Sequence, residues 1–240
     1  VTDRDSGVRD GAADDGGEGD RGGDFEGPPS VSAAVAAGAA LFNEGHVLAA
    51  HDPWEAAWLP LDEGDDERLL HGLIAAAAAT HHATERNWSG ATGCAANAVR
   101  YLGGLDGGPT RDADAGARGV DVATVREWCR RLAADPETVE RAGPPPIRVD
   151  GAAPGFEDLD LAAALLAAPA LAEAVDHADE ETFETAASLA REERGTGRTR
   201  FAELLFAFLR EPDARPQVAA RLADHVELAE RKRRDVDDLF

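Results

Sequence analysis

The sequence predicts an all-α protein, a compact helical bundle with a second helical C-terminal part, and three observations carry that reading. No run of about four to eight alternating β-branched residues occurs anywhere, so no segment has the period-two pattern of a half-buried strand. Apolar residues recur at three- and four-residue spacings, with Ser, Asp or Asn before the runs and Gly or Pro after them. Hydrophobic residues make up 43% of the chain but aromatic residues only 5%, which points to helices packed closely through alanine.

Each element follows from the same signals. Val31, Val35, Ala39 and Phe42 mark one face of a first helix, with Ser30 or Ser32 as its cap and Gly45 beyond its end. A second helix is expected over Val47–Leu59, with Val47, Trp54 and Trp58 as its apolar stripe. After the acidic turn Asp62–Asp66 a third runs to about Thr84, facing inward with Leu69, Leu70, Leu73, Ile74, Ala77 and Ala78. A fourth starts near Ser89 and stops at Gly103-Gly104, and a fifth covers Val122–Ala134. Pro144-Pro145-Pro146 reads as a stiff extended connector. Beyond it, helices are expected over Leu159–Leu166, Pro169–His177, Glu180–Arg194, Arg198–Leu209 and Pro212–Val236.

The organisation expected from this pass has four parts. Residues 1–29 hold eight glycines, nine acids and three arginines, too little apolar surface to order, and read as a disordered acidic tail. Residues 30–105 form a helical domain, 106–120 a Gly- and Asp-rich linker, and 121–240 a C-terminal helical region. Cys94 and Cys129 stand alone in helical settings and read as small hydrophobes.

Charge excludes more than it identifies. Lys and Arg total 24 against 47 Asp and Glu, a formal charge of −23, so nucleic acid is not the default partner. No stretch is long and apolar enough to span a membrane, and the N-terminus lacks the plan of a signal peptide, so a cytoplasmic, soluble protein is expected. Methionine is absent and position 1 is Val, as a literally translated non-ATG start or a trimmed fragment would give. Lys232 is the one lysine, and acids outnumber bases about two to one; such a surface suits the concentrated salt of an extreme halophile, where repulsion is screened.

No G-x-S-x-G, H-E-x-x-H or Walker pattern is present, and Gly195-Thr196-Gly197-Arg198-Thr199 reads as a flexible inter-helix loop rather than a phosphate site. The residues that could carry chemistry are polar groups set among apolar helix faces. His51 and Glu55 stand at i and i+4, so on one continuous helix they project side by side. His81 and His82 end the third helix, and Asn87 opens the fourth. Alternatively Asp52 is a helix cap, Pro53 the first helical residue and Glu55 the capping-box acid, in which case His51 precedes the helix.

These residues carry a family resemblance. Leu41-Phe42-Asn43-Glu44-Gly45, Ala50-His51-Asp52-Pro53-Trp54-Glu55-Ala56-Ala57-Trp58, Gly72-Leu73-Ile74-Ala75, His82 and Arg86-Asn87-Trp88-Ser89-Gly90-Ala91 together resemble the family known as domain of unknown function 309. Asp52 stands where that pattern has glutamate, Ala75 where it has glutamine, and Arg86 where it has glycine. The resemblance covers residues 33–105 and implies a compact helical fold without a fixed activity.

His51, Glu55, His82 and Asn87 are therefore read as a buried polar cluster fixing how three helices meet, in a non-enzymatic interaction or scaffold domain of a halophile. The alternative is a metal-dependent, hydrolase-like enzyme with His51, Glu55 and His82 as ligands of a divalent metal. No other cofactor is expected, and the partner class that suits the first reading is another protein. Lowering salt from molar to about 0.1 M lengthens the Debye length from about 3 to about 10 Å, so helicity followed by circular dichroism is expected to fall. Full helicity in dilute buffer would contradict the halophilic reading.

Overall fold

Ser30 Oγ accepts the Ala33 N–H at 3.2 Å and starts α1, Val31–Asn43, a helix buried almost all round, with ten small or apolar residues buried. At its far end Gly45, with φ +90°, turns the chain, and Leu41 O accepts the His46 N–H at 2.9 Å. The computed structural model describes residues 27–105 and 117–237. The expected acidic tail up to residue 26, and residues 106–116 of the expected linker, lie outside the described residues. Among those described there are ten α-helices and no named strand.

The first four helices are α1, α2 (His51–Trp58), α3 (Asp65–Thr84) and α4 (Trp88–Tyr101). Trp54, fully buried, seats α2 on α1 at Gly38, where an added Cβ would stand 2.3 Å from the indole and 2.9 Å from Ala50 O. The alanines of α3 let α4 lie close, and α5 (Val122–Ala134) then packs on both α3 and α4. Trp128 of α5 donates its Nε1–H to Thr80 Oγ1 at 3.0 Å, and Thr80 donates in turn to Ala76 O at 2.8 Å, so the buried hydroxyl of α3 is satisfied on both sides.

Residues 117–120 fold back on the stretch after the proline connector. Asp121 N–H donates to Arg148 O at 2.9 Å and Asp150 N–H to Gly119 O at 2.8 Å, with Val120 and Val149 forming an isolated antiparallel bridge. A short helix, α6 (Thr138–Arg141), precedes the prolines, and Arg86 reaches it through Glu140 at 2.9 Å. Arg86 has φ +57°, the left-handed region in which glycine is cheapest.

The C-terminal part comprises α7 (Leu161–Ala174), α8 (Glu180–Glu193), α9 (Arg200–Arg210) and α10 (Arg215–Asp237). The sequence expectation of two helices broken before Pro169 is corrected here: α7 runs through it. Proline removes one backbone donor and usually breaks a helix, but eight small or apolar residues of α7 are buried, and α1, α2, α8 and α9 pack around it. Tertiary burial outweighs the local cost. Among the described residues no helix is long and apolar enough to cross a membrane.

The last residue of α1 joins the two parts. Asn43 Nδ2 donates to Ile147 O at 3.0 Å and to Pro154 O at 2.9 Å, while its Oδ1 accepts the Ile147 N–H at 2.8 Å. All three bonds go to backbone more than a hundred residues away, and α7 follows directly, packed against α1. Asn43→Ala is expected to lower stability by about 1–3 kcal/mol in denaturant unfolding, because three backbone groups lose their partner. Asn43→Asp keeps the acceptor but faces two carbonyls with a carboxylate, and should cost at least as much at neutral pH; a variant as stable as the parent would show that the clamp is not needed.

Candidate functional site

The site begins with how α2 starts. Ala50 N–H donates to His46 O at 3.1 Å and His51 N–H to Leu48 O at 3.0 Å, so a turn leads straight into the helix. His51 is its first residue, and Pro53, the third, falls where backbone N–H groups have no helical partner, so its missing donor costs nothing. The cap position belongs to Ala50, which makes no side-chain bond, so Asp52 is not the cap. His51 and Glu55 therefore share one helix face, with Nδ1 and Oε2 3.5 Å apart.

Asp52 turns instead towards the C-terminal part. Its carboxyl shares a hydrogen bond with Glu173, in the last turn of α7, and is pushed up to about 7 by burial first and then by the charges of Glu173, Glu180 and Glu55. Burial and the acids around it thus favour the protonated form of Asp52 close to neutrality. On its other side Asp52 borders a smaller cleft of about 220 Å³, where Glu180 and Glu184 face Arg191.

The opposite wall is the end of α3. His81 and His82 have ring centroids 6.0 Å apart, and His82 Nδ1 accepts from Asn87 Nδ2 at 3.3 Å. Asn87 also caps α4, its Oδ1 accepting the Gly90 N–H at 3.1 Å. A Cβ at Gly90 would stand 2.9 Å from the His82 ring, so histidine, asparagine and glycine form one steric unit. Asn87 is thus a helix cap that also orients His82.

Between these walls lies a cleft of about 410 Å³ lined by His51, Asp52, His81, His82 and Glu173, with Leu48, Ala49, Ala78 and Ala174 supplying the apolar part. The structure brings His51 and His82 to one cleft, as the sequence suggested, while Glu55 and Asn87 stand behind them as their respective partners. The expectation of a buried network is corrected: His51 is half-buried, the Glu55 side chain is 44% exposed and Asn87 is exposed. The cleft is assembled from helix ends, and nothing among the described residues closes over them. Nor do His51, Glu55 and His82 converge as a ligand set; among the described residues no group of three or more His, Cys, Asp and Glu is placed to hold a metal ion.

Sequence reasoning noted His81 at the end of the third helix without giving it a role, and left out Glu173 and the part Asp52 plays. Glu173 had a signal: it is the one charged residue of α7 and sits in the last turn, where a negative charge opposes the helix dipole. His71, partly exposed, joins three helices. It stacks on Tyr101 with centroids 3.8 Å apart, and its Nδ1 lies 3.3 Å from Glu67 Oε1, which also accepts Trp58 Nε1–H at 3.0 Å, tying α2, α3 and α4 together. Cys129 is fully buried, its thiol pushed up to about 12 by burial, and Cys94 is half-buried; both pack as small hydrophobes.

No curated protein matches this chain. Residues 35–94, from the middle of α1 to the middle of α4 and including His51, Asp52, His81, His82 and Asn87, match the model of the family described as Domain of unknown function (DUF309).

Proposed function

We propose that this protein is a non-enzymatic interaction domain whose histidine-lined cleft receives a cationic side chain of a protein partner. The carrying observation is that Asp52 of α2 and Glu173 of α7 line one open cleft together with three histidines, where burial and the nearby Glu173 charge push the Asp52 carboxyl up to about 7. A guanidinium or ammonium entering the cleft replaces the Asp52 proton and converts a repulsive pair into a bidentate acceptor. His51, His81 and His82 present ring nitrogens to the same group, and Leu48, 55% exposed at the rim, offers an apolar neighbour to the residue beside it. The setting we propose is the cytoplasm of an extreme halophile, where the charge of −23 is screened beyond about 3 Å and only close contacts such as this one discriminate partners.

Calorimetric titration of the full chain with leucyl-arginine amide tests the reading. Binding is expected to release a proton near neutral pH and to weaken as pH falls through the Asp52 value and its carboxyl protonates. Asp52→Asn and Glu173→Gln should each abolish the proton release and weaken binding about tenfold. Equal binding of leucyl-glutamine amide, or binding with no proton released, would overturn it.

Stability follows from the same pair. The folded carboxyl of Asp52 titrates at about 7, above its ordinary 3.8, so the folded chain binds the proton more tightly than the unfolded one. Its contribution is complete below the ordinary value and is lost as pH rises through the folded one. Asp52→Asn, neutral throughout, is therefore expected to be near-neutral at about pH 4 and stabilising by about 1 kcal/mol at about pH 8, a modest figure because the carboxyl is partly open to solvent. Thermal melts at the two pH values check it; a variant less stable at the higher pH would contradict the assignment.

A further inference from the structure

A third cleft, of about 280 Å³, lies between the loop joining α8 to α9 and the middle of α10. Four cations line it, Arg198, Arg200, Lys232 and Arg233, against two carboxylates, Glu192 and Glu193. In a chain with twice as many acids as bases, that balance is inverted.

Both carboxylates are already engaged. Glu192 pairs with Arg233 across the cleft, and Glu193 Oε2 accepts the Phe201 N–H at 3.1 Å at the start of α9. Among the described residues, the side chains of Arg198, Arg200 and Lys232 make no hydrogen bond or ion pair, although Arg86, Arg118, Arg130, Arg141 and Arg231 each pair with an acid. Phe201, buried, and Leu228, 41% exposed, supply an apolar wall beside the cations. Three free cations from two elements around one apolar wall call for an anion larger than chloride, attached to a carbon skeleton.

We propose that this cleft binds a phosphomonoester carried on a small apolar body. The phosphate dianion meets the two guanidinium groups, which match its oxygens in pairs, and the ammonium of Lys232, which acts as a point charge. The apolar body lies against Phe201 and Leu228. A cleft of this size holds one such group and no polymer. The site is separate from the histidine-lined cleft, and neither reading depends on the other.

The single lysine makes the test direct. Reductive methylation with ¹³C-formaldehyde labels Lys232 and the N-terminal amine, keeps both charges, and gives one side-chain signal in the full chain. Titration with phenyl phosphate is expected to shift that signal saturably, with inorganic phosphate binding about tenfold more weakly and phenol not at all. The double variant Arg198→Gln/Arg200→Gln, which retains the probe, should lose at least about tenfold in affinity with unchanged helicity, whereas Arg130→Gln on α5 should bind as the parent does. No saturable shift, equal affinity for inorganic and phenyl phosphate, or undiminished binding by the folded double variant would each overturn the proposal.

Discussion

The three hydrogen bonds of Asn43 are the constraint on which the rest of the arrangement depends. One amide at the end of α1 satisfies an N–H and two carbonyls of the chain around Ile147 and Pro154, and thereby fixes where the C-terminal part begins. From there the chain enters α7, whose buried face lies on α1 and α2, and the length of α7 delivers Glu173 to Asp52. The cleft wall contributed by α7 therefore derives from a contact made at the far end of a different helix. An asparagine does this better than any residue of its size, because it alone offers two donors and an acceptor in one planar group.

That arrangement explains which parts were legible in the sequence. Helix starts were readable wherever a short polar side chain meets its own backbone, as at Ser30, Asn87, Asp121 and Asp179, each of which accepts an N–H three residues on. Pro169 misled because proline's cost is local while its compensation, burial among four helices, is not. The start of α2 fell between the two alternatives for a related reason: Pro53 is tolerated by position, one turn in, rather than as a first residue or as a kink.

The site divides the same way. His51 with Glu55 is an i, i+4 pair that helical geometry places, and His82 meets Asn87 across the short turn from α3 into α4. What turned two pairs into one cleft was Glu173, which stands out locally as the one charged residue of α7 but whose partner, on α2, no local pattern encodes. Burial was overestimated because polar residues on apolar helices were expected to face inward, whereas these stand at helix ends, where the apolar stripe runs out. The histidine-lined cleft and the cleft beside α10 are opposites in charge. One gathers carboxyl groups beside histidines, the other gathers guanidinium and ammonium groups, on a chain whose net charge would hide both.

The burial of α7 also bears on how this chain can diverge. Alanine is common enough here to pass for a bias of codon usage, and on the exposed faces such a bias would leave little trace. In α7 it is held by geometry: Ala163, Ala164, Ala167, Ala168, Ala170 and Ala172 have almost no exposed surface, so each methyl already touches a neighbouring helix. Enlarging any of them forces two helices apart, and shrinking it opens a gap in a layer with no flexible methionine to refill it. Heritable variation in this protein is thus channelled outward, to the charged residues and loop lengths around the two clefts, where changes in recognition can accumulate without disturbing the layer beneath.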